Sequence, residues 1–302
     1  MVISASRRTD IPALYASWFF NRLEAGYVLV RNPMVPSQVS RIALTFQAVD
    51  CFVFWSKNPK PFLSSLSKLD GYSYYFQYTL NAYGRDVEPA LPSLQARLDT
   101  FQELSEKIGK ERVIWRYDPI FISERYGVLY HLEQFERLLE QLSPYTERCV
   151  ISFIDQVKQR NFNTWGIRGL STDEMRSIAR SFSKCAKDTG LSLETCAEVI
   201  DLDEFGILHG RCIDDELIQR ICSKQVDAKK DVGQRKACGC VKSVDIGAYD
   251  TCSLGCVYCY ATHENRPRKV FHDVASPLLC STLHEGDRVF ERRESKQLYL
   301  DL

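Results

Sequence analysis

The sequence has no excess of charge of either sign. Lys plus Arg and Asp plus Glu number 39 each, so no global field draws the chain to nucleic acid or to an anionic membrane surface. It also lacks any apolar run near the roughly 20 residues that a membrane-spanning helix needs. The first residues, Met1-Val-Ile-Ser-Ala-Ser-Arg-Arg, carry their charges after the apolar residues, the reverse of a secretory signal. A cytoplasmic location without a membrane partner is the expectation. Internal sequence repeats and low-complexity tracts are missing too, which excludes solenoids and disordered arrays.

What is present is an ordinary globular composition, 45% hydrophobic and 12% aromatic over 302 residues. That length can bury a large core, as one barrel-sized domain or two smaller ones. The unusual count is twelve cysteines, eight of them from Cys212 onward. In a reducing compartment clustered thiols point to metal rather than to disulfides.

Apolar strand-like segments alternate with helical ones. Val2–Ser6, Cys51–Trp55, Tyr74–Leu80, Val113–Trp115, Val150–Ile154 and Leu191–Cys196 read as strands. Helices are expected from Ile11 to about Ala25, from Lys60 to about Leu69, from Pro92 to Lys110, over Leu129–Leu142, from a Thr172 or Asp173 cap to Lys187, and from an Asp214 or Asp215 cap to Cys222. Tyr27–Arg31 and Gln38–Leu44 read as a strand pair around a proline turn. Alternation at this spacing implies an α/β fold with a parallel sheet, a partial or closed TIM-like barrel. Residues 1–225 are expected to form the β/α core. Residues 226–302 are expected to be a cysteine-rich segment packed on the barrel mouth as part of one integrated domain.

Chemistry in such folds collects at the carboxyl ends of strands. Those ends carry Arg7, Arg8 and Asp10; Ser56, Lys57 and Asn58; Gln77, Thr79 and Asn81; Arg116 and Asp118; Asp155; and Glu194, Cys196 and Glu198. Charges beside apolar strands are costly unless paired or functional. Some are expected to be ordinary caps, Asp10 and Asn58 among them, and Arg116 can pair with Asp118 or Glu198. Lys57, Arg116, Asp118 and Glu198 are the candidate catalytic residues. Lys57 and Arg116 are favoured for substrate or cofactor contact, because neither side chain caps a helix N-terminus.

The strongest local signal is Cys252-Ser-Leu-Gly-Cys256-Val-Tyr-Cys259, three cysteines at C-x3-C-x2-C spacing. Three thiolates on one loop can hold three corners of a [4Fe–4S] cluster, which otherwise takes four cysteines. An open position is what separates a catalytic metal site from a structural one. Two plainer readings stand beside it: a closed zinc site with His263 as fourth ligand, and unliganded thiols. A second group, Cys196, Cys212, Cys238 and Cys240, is a candidate for another iron–sulfur cluster or a zinc ion. Cys51, Cys149, Cys185, Cys222 and Cys280 read as packed thiols. The basic run Arg266-Pro-Arg268-Lys269 reads as a solvated face.

The cysteine loop, with Tyr258 directly before Cys259, resembles the cluster loop of radical S-adenosylmethionine (radical SAM) enzymes. The resemblance implies that Cys252, Cys256 and Cys259 bind three irons, that S-adenosylmethionine chelates the fourth, and that Tyr258 lies near its adenine. That loop usually follows the first strand; here it follows Val241–Ala248, after all the others. Docking of that strand beside residues 2–9 would give the same barrel in permuted order. Arg7 or Arg8 would then meet the carboxylate of S-adenosylmethionine. No Gly-Gly-Glu, the segment that typically holds the methionine amine in those enzymes, follows any strand.

Ser4-Ala-Ser-Arg-Arg-Thr-Asp-Ile-Pro, Phe54-Trp-Ser-Lys-Asn-Pro, Arg116-Tyr-Asp-Pro and the Gly233–Cys252 stretch together resemble an uncharacterised bacterial family, domain of unknown function 1848. That resemblance spans nearly the whole chain and implies a bacterial source and a C-terminal radical-SAM-like cysteine cluster. The expectation is a radical SAM enzyme acting on a small molecule or other unknown substrate, with an electron donor such as flavodoxin or ferredoxin. The alternatives are a non-catalytic iron–sulfur or zinc protein, and a nucleic-acid repair or modification enzyme of the same chemistry, against which the neutral charge argues.

Overall fold

The strongly apolar segments become neighbours in a single parallel sheet. In the computed structural model, which describes residues 1–155, 162–222, 225–262 and 272–292, the chain runs β1 (Val2–Ala5), α1 (Ile11–Leu14), α2 (Ala16–Ala25), β2 (Tyr27–Arg31), β3 (Gln38–Ala43), β4 (Cys51–Ser56), α3 (Lys60–Leu63) and β5 (Tyr74–Thr79). It continues with α4 (Leu94–Ile108), β6 (Val113–Ile120), α5 (Val128–Leu142), β7 (Arg148–Phe153), α6 (Thr172–Ala186), β8 (Ser192–Thr195), β9 (Leu208–His209), α7 (Asp215–Cys222), β10 (Val244–Asp245) and β11 (Arg288–Glu291). The main sheet has eight strands in the order β10-β1-β4-β5-β6-β7-β8-β9. Every neighbouring pair in it is parallel. Among the described residues no ladder joins β9 to β10, so the sheet is open rather than a closed barrel. A second, three-stranded sheet, β11-β3-β2, holds the expected antiparallel pair Tyr27–Arg31 with Gln38–Ala43.

Both faces of the main sheet are covered, which is why β4 and β5 are buried over nearly their whole length and mostly apolar rather than alternating. On the helix side Phe19, Phe52, Phe54, Phe62 and Phe76 interlock, edge to face or tilted, at centroid distances of 4.9–6.0 Å. Further along, Phe135 of α5 lies between Trp115 of β6 and Phe182 of α6, 5.1 and 3.7 Å from them. No helix of the described residues is long and apolar enough to cross a membrane.

Several expected boundaries shift for local reasons. The helix expected over Ile11–Ala25 breaks at Tyr15, whose φ of −133° is not helical and whose hydroxyl is tied to the Thr251 carbonyl. The next one shortens to Lys60–Leu63, followed by a 3-10 turn at Leu66–Leu69. Asn58 does not cap it, whereas Asp10 caps α1 through Ala13 N at 2.9 Å. Ser171, not Thr172 or Asp173, caps α6, in a capping box with Glu174. Asp214 caps α7 by accepting from Glu216 N and Leu217 N at 3.0 and 3.3 Å. His263 and the 266–269 run lie outside the described residues.

Among the described residues the core carries one buried imidazole. His131 Nε2 donates to the Phe121 carbonyl at 2.8 Å, which leaves Nδ1 to accept from the Tyr117 hydroxyl at 3.0 Å. Burial pushes its pKa down from 6.5 to about 4, against the smaller opposing effect of the Phe121 carbonyl. The unfolded chain therefore binds the extra proton first. The contribution to stability is whole above about pH 6.5 and is lost as pH falls toward 4, on the order of 3 kcal/mol. Denaturant titrations of wild type and His131→Gln between pH 7.5 and 4.5 should give a shallower pH dependence for the variant. Equal slopes would contradict this assignment.

Candidate functional site

A cavity of about 520 Å³ opens at the carboxyl ends of the main-sheet strands. Into its wall come Arg7, Arg8 and Asp10 after β1, Ser56 and Lys57 from β4, Thr79 of β5, Arg116 and Asp118 of β6, Asp155 after β7 and Cys196 after β8. All seven candidate metal ligands line the same cavity: Cys252, Cys256 and Cys259, and Cys196, Cys212, Cys238 and Cys240. The expected polar rim is thus one site. Gln77, Asn81 and Glu194 do not join its lining. Gln77 bonds the Cys212 carbonyl at 2.8 Å, Asn81 the Asp118 carbonyl at 2.8 Å, and Glu194 pairs with Arg148 at 3.2 Å.

The loop carrying Cys252, Cys256 and Cys259 is non-regular, as its sequence indicates. It is set by backbone bonds from Val257 N to Val87 O and from Asp250 N to Ala261 O, at 3.0 and 2.9 Å. Gly255 turns the chain between the first two cysteines with φ 71°, a left-handed conformation that glycine adopts without steric cost. Burial pushes the Cys252 thiol up to about 12, with Asp10 adding to it. Burial also pushes Cys256 well above an ordinary thiol, against the pull of Lys57. These are desolvated sulfurs whose charged form needs a cation close by. That donor set fits an iron–sulfur cluster: three soft ligands on one loop at the wall of a cavity. As the side chains stand, no group of three or more His, Cys, Asp or Glu among the described residues is already arranged to hold a single metal ion.

The cations are more engaged than their sequence positions suggest. Lys57 Nζ bonds Glu88 at 2.9 Å and the Tyr258 hydroxyl at 2.8 Å, and Tyr258 in turn bonds Glu88. Burial opposes the charge on Lys57, but Glu88 and Cys256 hold its pKa above the usual lysine value. Arg116 is buried between Asp118 and Cys212, with Nη1 2.7 Å from the Cys212 sulfur. Burial alone would raise the Asp118 carboxyl; Arg116 and the Ser152 hydroxyl hold it below its ordinary range. Arg116 pairs with Asp118, then, rather than with Glu198. Glu198 lies behind the wall, accepts from Phe153 N at 2.9 Å, and is pushed up to about 7 by burial first and Asp118 next. Arg7 and Arg8 gather around Asp245 of β10. Arg7 N donates to that carboxylate at 2.9 Å, and Arg8 Nε lies 3.9 Å from it.

Sequence reasoning missed Glu88, Asp245, Trp55 and Ser152. Trp55 lies beneath the guanidinium groups of Arg7 and Arg116, 5.8 and 5.1 Å from its ring. Asp245 had a usable signal, a carboxylate inside a short apolar strand. Glu88 had none.

The seat of the cysteine loop depends on a close approach between β1 and the segment after β10. A Cβ at Gly247 would stand 2.6 Å from Ser6 Cβ and closer still to its hydroxyl, which is already committed to Asp245 at 2.6 Å. Gly247→Ala should cost about 1–3 kcal/mol by denaturant midpoint. Gly127→Ala, where a Cβ meets nothing within 4 Å, should change far less. Equal effects would contradict the close approach.

Fold and site together define a cysteine-rich α/β protein whose cavity sits at the carboxyl ends of parallel strands. The chain belongs to the family described as Domain of unknown function (DUF1848), which matches residues 2–261. No curated protein matches it. Among solved structures it is similar to a "putative alpha-L-fucosidase" from Bacteroides thetaiotaomicron, at 12% identity over 68% of this chain and 77% of that one, with a TM-score of 0.28. A likeness at that level carries no argument about fold or activity.

Proposed function

We propose that this protein is a radical SAM enzyme, with Cys252, Cys256 and Cys259 holding three irons of a [4Fe–4S] cluster. One observation carries the reading: three thiols of a single loop line a cavity at the carboxyl ends of a parallel sheet, beside the cations that follow β1. In this reading the open sheet is a partial TIM-like barrel in permuted order, with β10 ahead of the cysteine loop and docked on β1. When bound, such a cluster supplies one electron that breaks a carbon–sulfur bond of S-adenosylmethionine, giving methionine and a 5′-deoxyadenosyl radical that takes hydrogen from a substrate.

The chain's own residues bind and orient. Arg7 and Arg8 offer charge-assisted hydrogen bonds to the carboxylate of an amino-acid-like cofactor at the end of β1. Tyr258 is fixed by Lys57 and Glu88, so its ring is presented in one orientation to a purine. Lys57 acts through Tyr258, as a positioning residue. Arg116 and Asp118 neutralise each other and keep the far wall polar without leaving a buried charge unpaired. Phe153, Ile154 and Leu254 supply the apolar wall that excludes water.

The test is anaerobic reconstitution with iron and sulfide, followed by dithionite and S-adenosylmethionine. Release of 5′-deoxyadenosine is expected. Protein that takes up iron and sulfide yet releases no nucleoside is a non-catalytic iron–sulfur protein, and the reading then fails.

A further inference from the structure

We propose that Cys196, Cys212, Cys238 and Cys240 are a tetrathiolate site for one zinc ion, which fastens together the two edges of the open main sheet. Their places in the chain set up the inference. Cys196 directly follows β8, and Cys212 lies just beyond β9, the strand at one edge. Cys238 and Cys240 come just before β10, the strand at the other edge. Where the ladder is missing, these residues converge. Val241 N donates to Ile213 O at 3.0 Å, and Ile213 N lies 3.4 Å from the Cys240 sulfur.

The spacing of the sulfurs selects the ligand. Cys212 Sγ and Cys196 Sγ are 3.1 Å apart, and the amide of Ile213, next to Cys212, reaches the Cys240 sulfur at 3.4 Å. Zn–S bonds of about 2.3 Å in a tetrahedron put ligand sulfurs about 3.8 Å apart. Taking up a zinc ion therefore spreads the closest pair by only about 0.7 Å. A cubane cluster binds each thiolate to a different iron and holds the sulfurs much farther apart, so a pair only 3.1 Å apart suits a single ion.

The surroundings suit the charge. One Zn²⁺ with four thiolates leaves two negative charges, and binding releases the thiol protons with no change of oxidation state. Arg116 Nη1 stands 2.7 Å from the Cys212 sulfur, and Arg7 acts on Cys240 from the cavity side. Such outer partners orient ligands and offset their charge. Gly239 fits the tight Cys-x-Cys chelate, since a Cβ there would stand 3.3 Å from Gly210 O and 3.1 Å from the Arg211 side chain. This site uses none of the three cysteines of the 252–259 loop, so it stands or falls apart from the radical SAM reading.

The test uses the full chain with Cys252, Cys256 and Cys259 all changed to alanine, which removes the other thiol group. Metal analysis is expected to find one zinc per chain. Cobalt(II) in its place should give the visible bands and thiolate charge-transfer absorption of a tetrahedral tetrathiolate site. Adding Cys238→Ser and Cys240→Ser should remove both signals. Should that variant not fold, a chelator applied to the parent variant should lower its thermal midpoint, and zinc should restore it. Iron and sulfide retained in the triple variant, a Cys196–Cys212 disulfide found by mass spectrometry, or four free thiols with no zinc would each overturn the proposal.

Discussion

Glu88→Ala should lower the stability of the folded chain by about 3–5 kcal/mol, the range for breaking a buried ion pair by removing one partner. Glu88 is only 1% exposed and lies between two cations, Lys57 Nζ at 2.9 Å and Arg97 Nη1 at 3.3 Å. Both cations are also withdrawn from water, Arg97 almost wholly. Removing the carboxylate leaves them facing each other with no counter-charge, and the Tyr258 hydroxyl loses an acceptor. Glu88→Gln keeps volume and hydrogen bonding but removes the charge, so it should fall between wild type and alanine. Denaturant unfolding followed by tryptophan fluorescence reads the difference. The damage should also reach the site, because Val87 O, one residue away, anchors Val257 of the cysteine loop. A loss below about 1 kcal/mol, the scale of an exposed pair, would contradict the arrangement.

Cys256→Ala should abolish cluster binding and, with it, all release of 5′-deoxyadenosine. Cys256 is the most buried of the three loop cysteines and stands in the field of Lys57. With Cys256 gone the loop offers two sulfurs, too few to hold a cubane that normally takes four. Cys280→Ala is the matched control. Cys280 is a partly buried thiol packed against the main core, near Tyr15, and does not line the cavity. It should retain iron, sulfide and nucleoside release. Cluster uptake by Cys256→Ala at the wild-type level would move the iron site elsewhere.

The alternation of apolar runs and helical periods made the parallel sheet legible, because strands covered on both faces are apolar over most of their length. The site was legible where ligands sit close in sequence, as in the 252–259 loop, and where charges follow an apolar strand, as at Arg7, Lys57 and Asp118. Strand β6 runs on to Ile120, past its expected end at Trp115, because Arg116 and Asp118 neutralise each other inside the strand. A charged pair two residues apart looks like a strand end to any local reading. Lys57 was expected to meet a ligand directly; its lysine signal was sound, but its partner was hidden. Glu88 meets Lys57, Arg97 and Tyr258 from 31, 9 and 170 residues away. No local pattern encodes such a carboxylate; only the packed fold does. The convergence of Cys196, Cys212, Cys238 and Cys240 is similar. Their spacing suggested a common site, but the missing ladder between β9 and β10, which gives that site a structural purpose, appears only in the strand order.

As proposed, three thiolates of one loop hold a cluster with one iron left open to a small molecule. Electron paramagnetic resonance of the anaerobically reconstituted, dithionite-reduced protein tests it most directly, before and after S-adenosylmethionine is added. The expected signal is that of a reduced [4Fe–4S] cluster that changes shape when S-adenosylmethionine binds and is lost in Cys256→Ala. A signal indifferent to S-adenosylmethionine, or a protein that takes up no iron and sulfide at this loop, would contradict it.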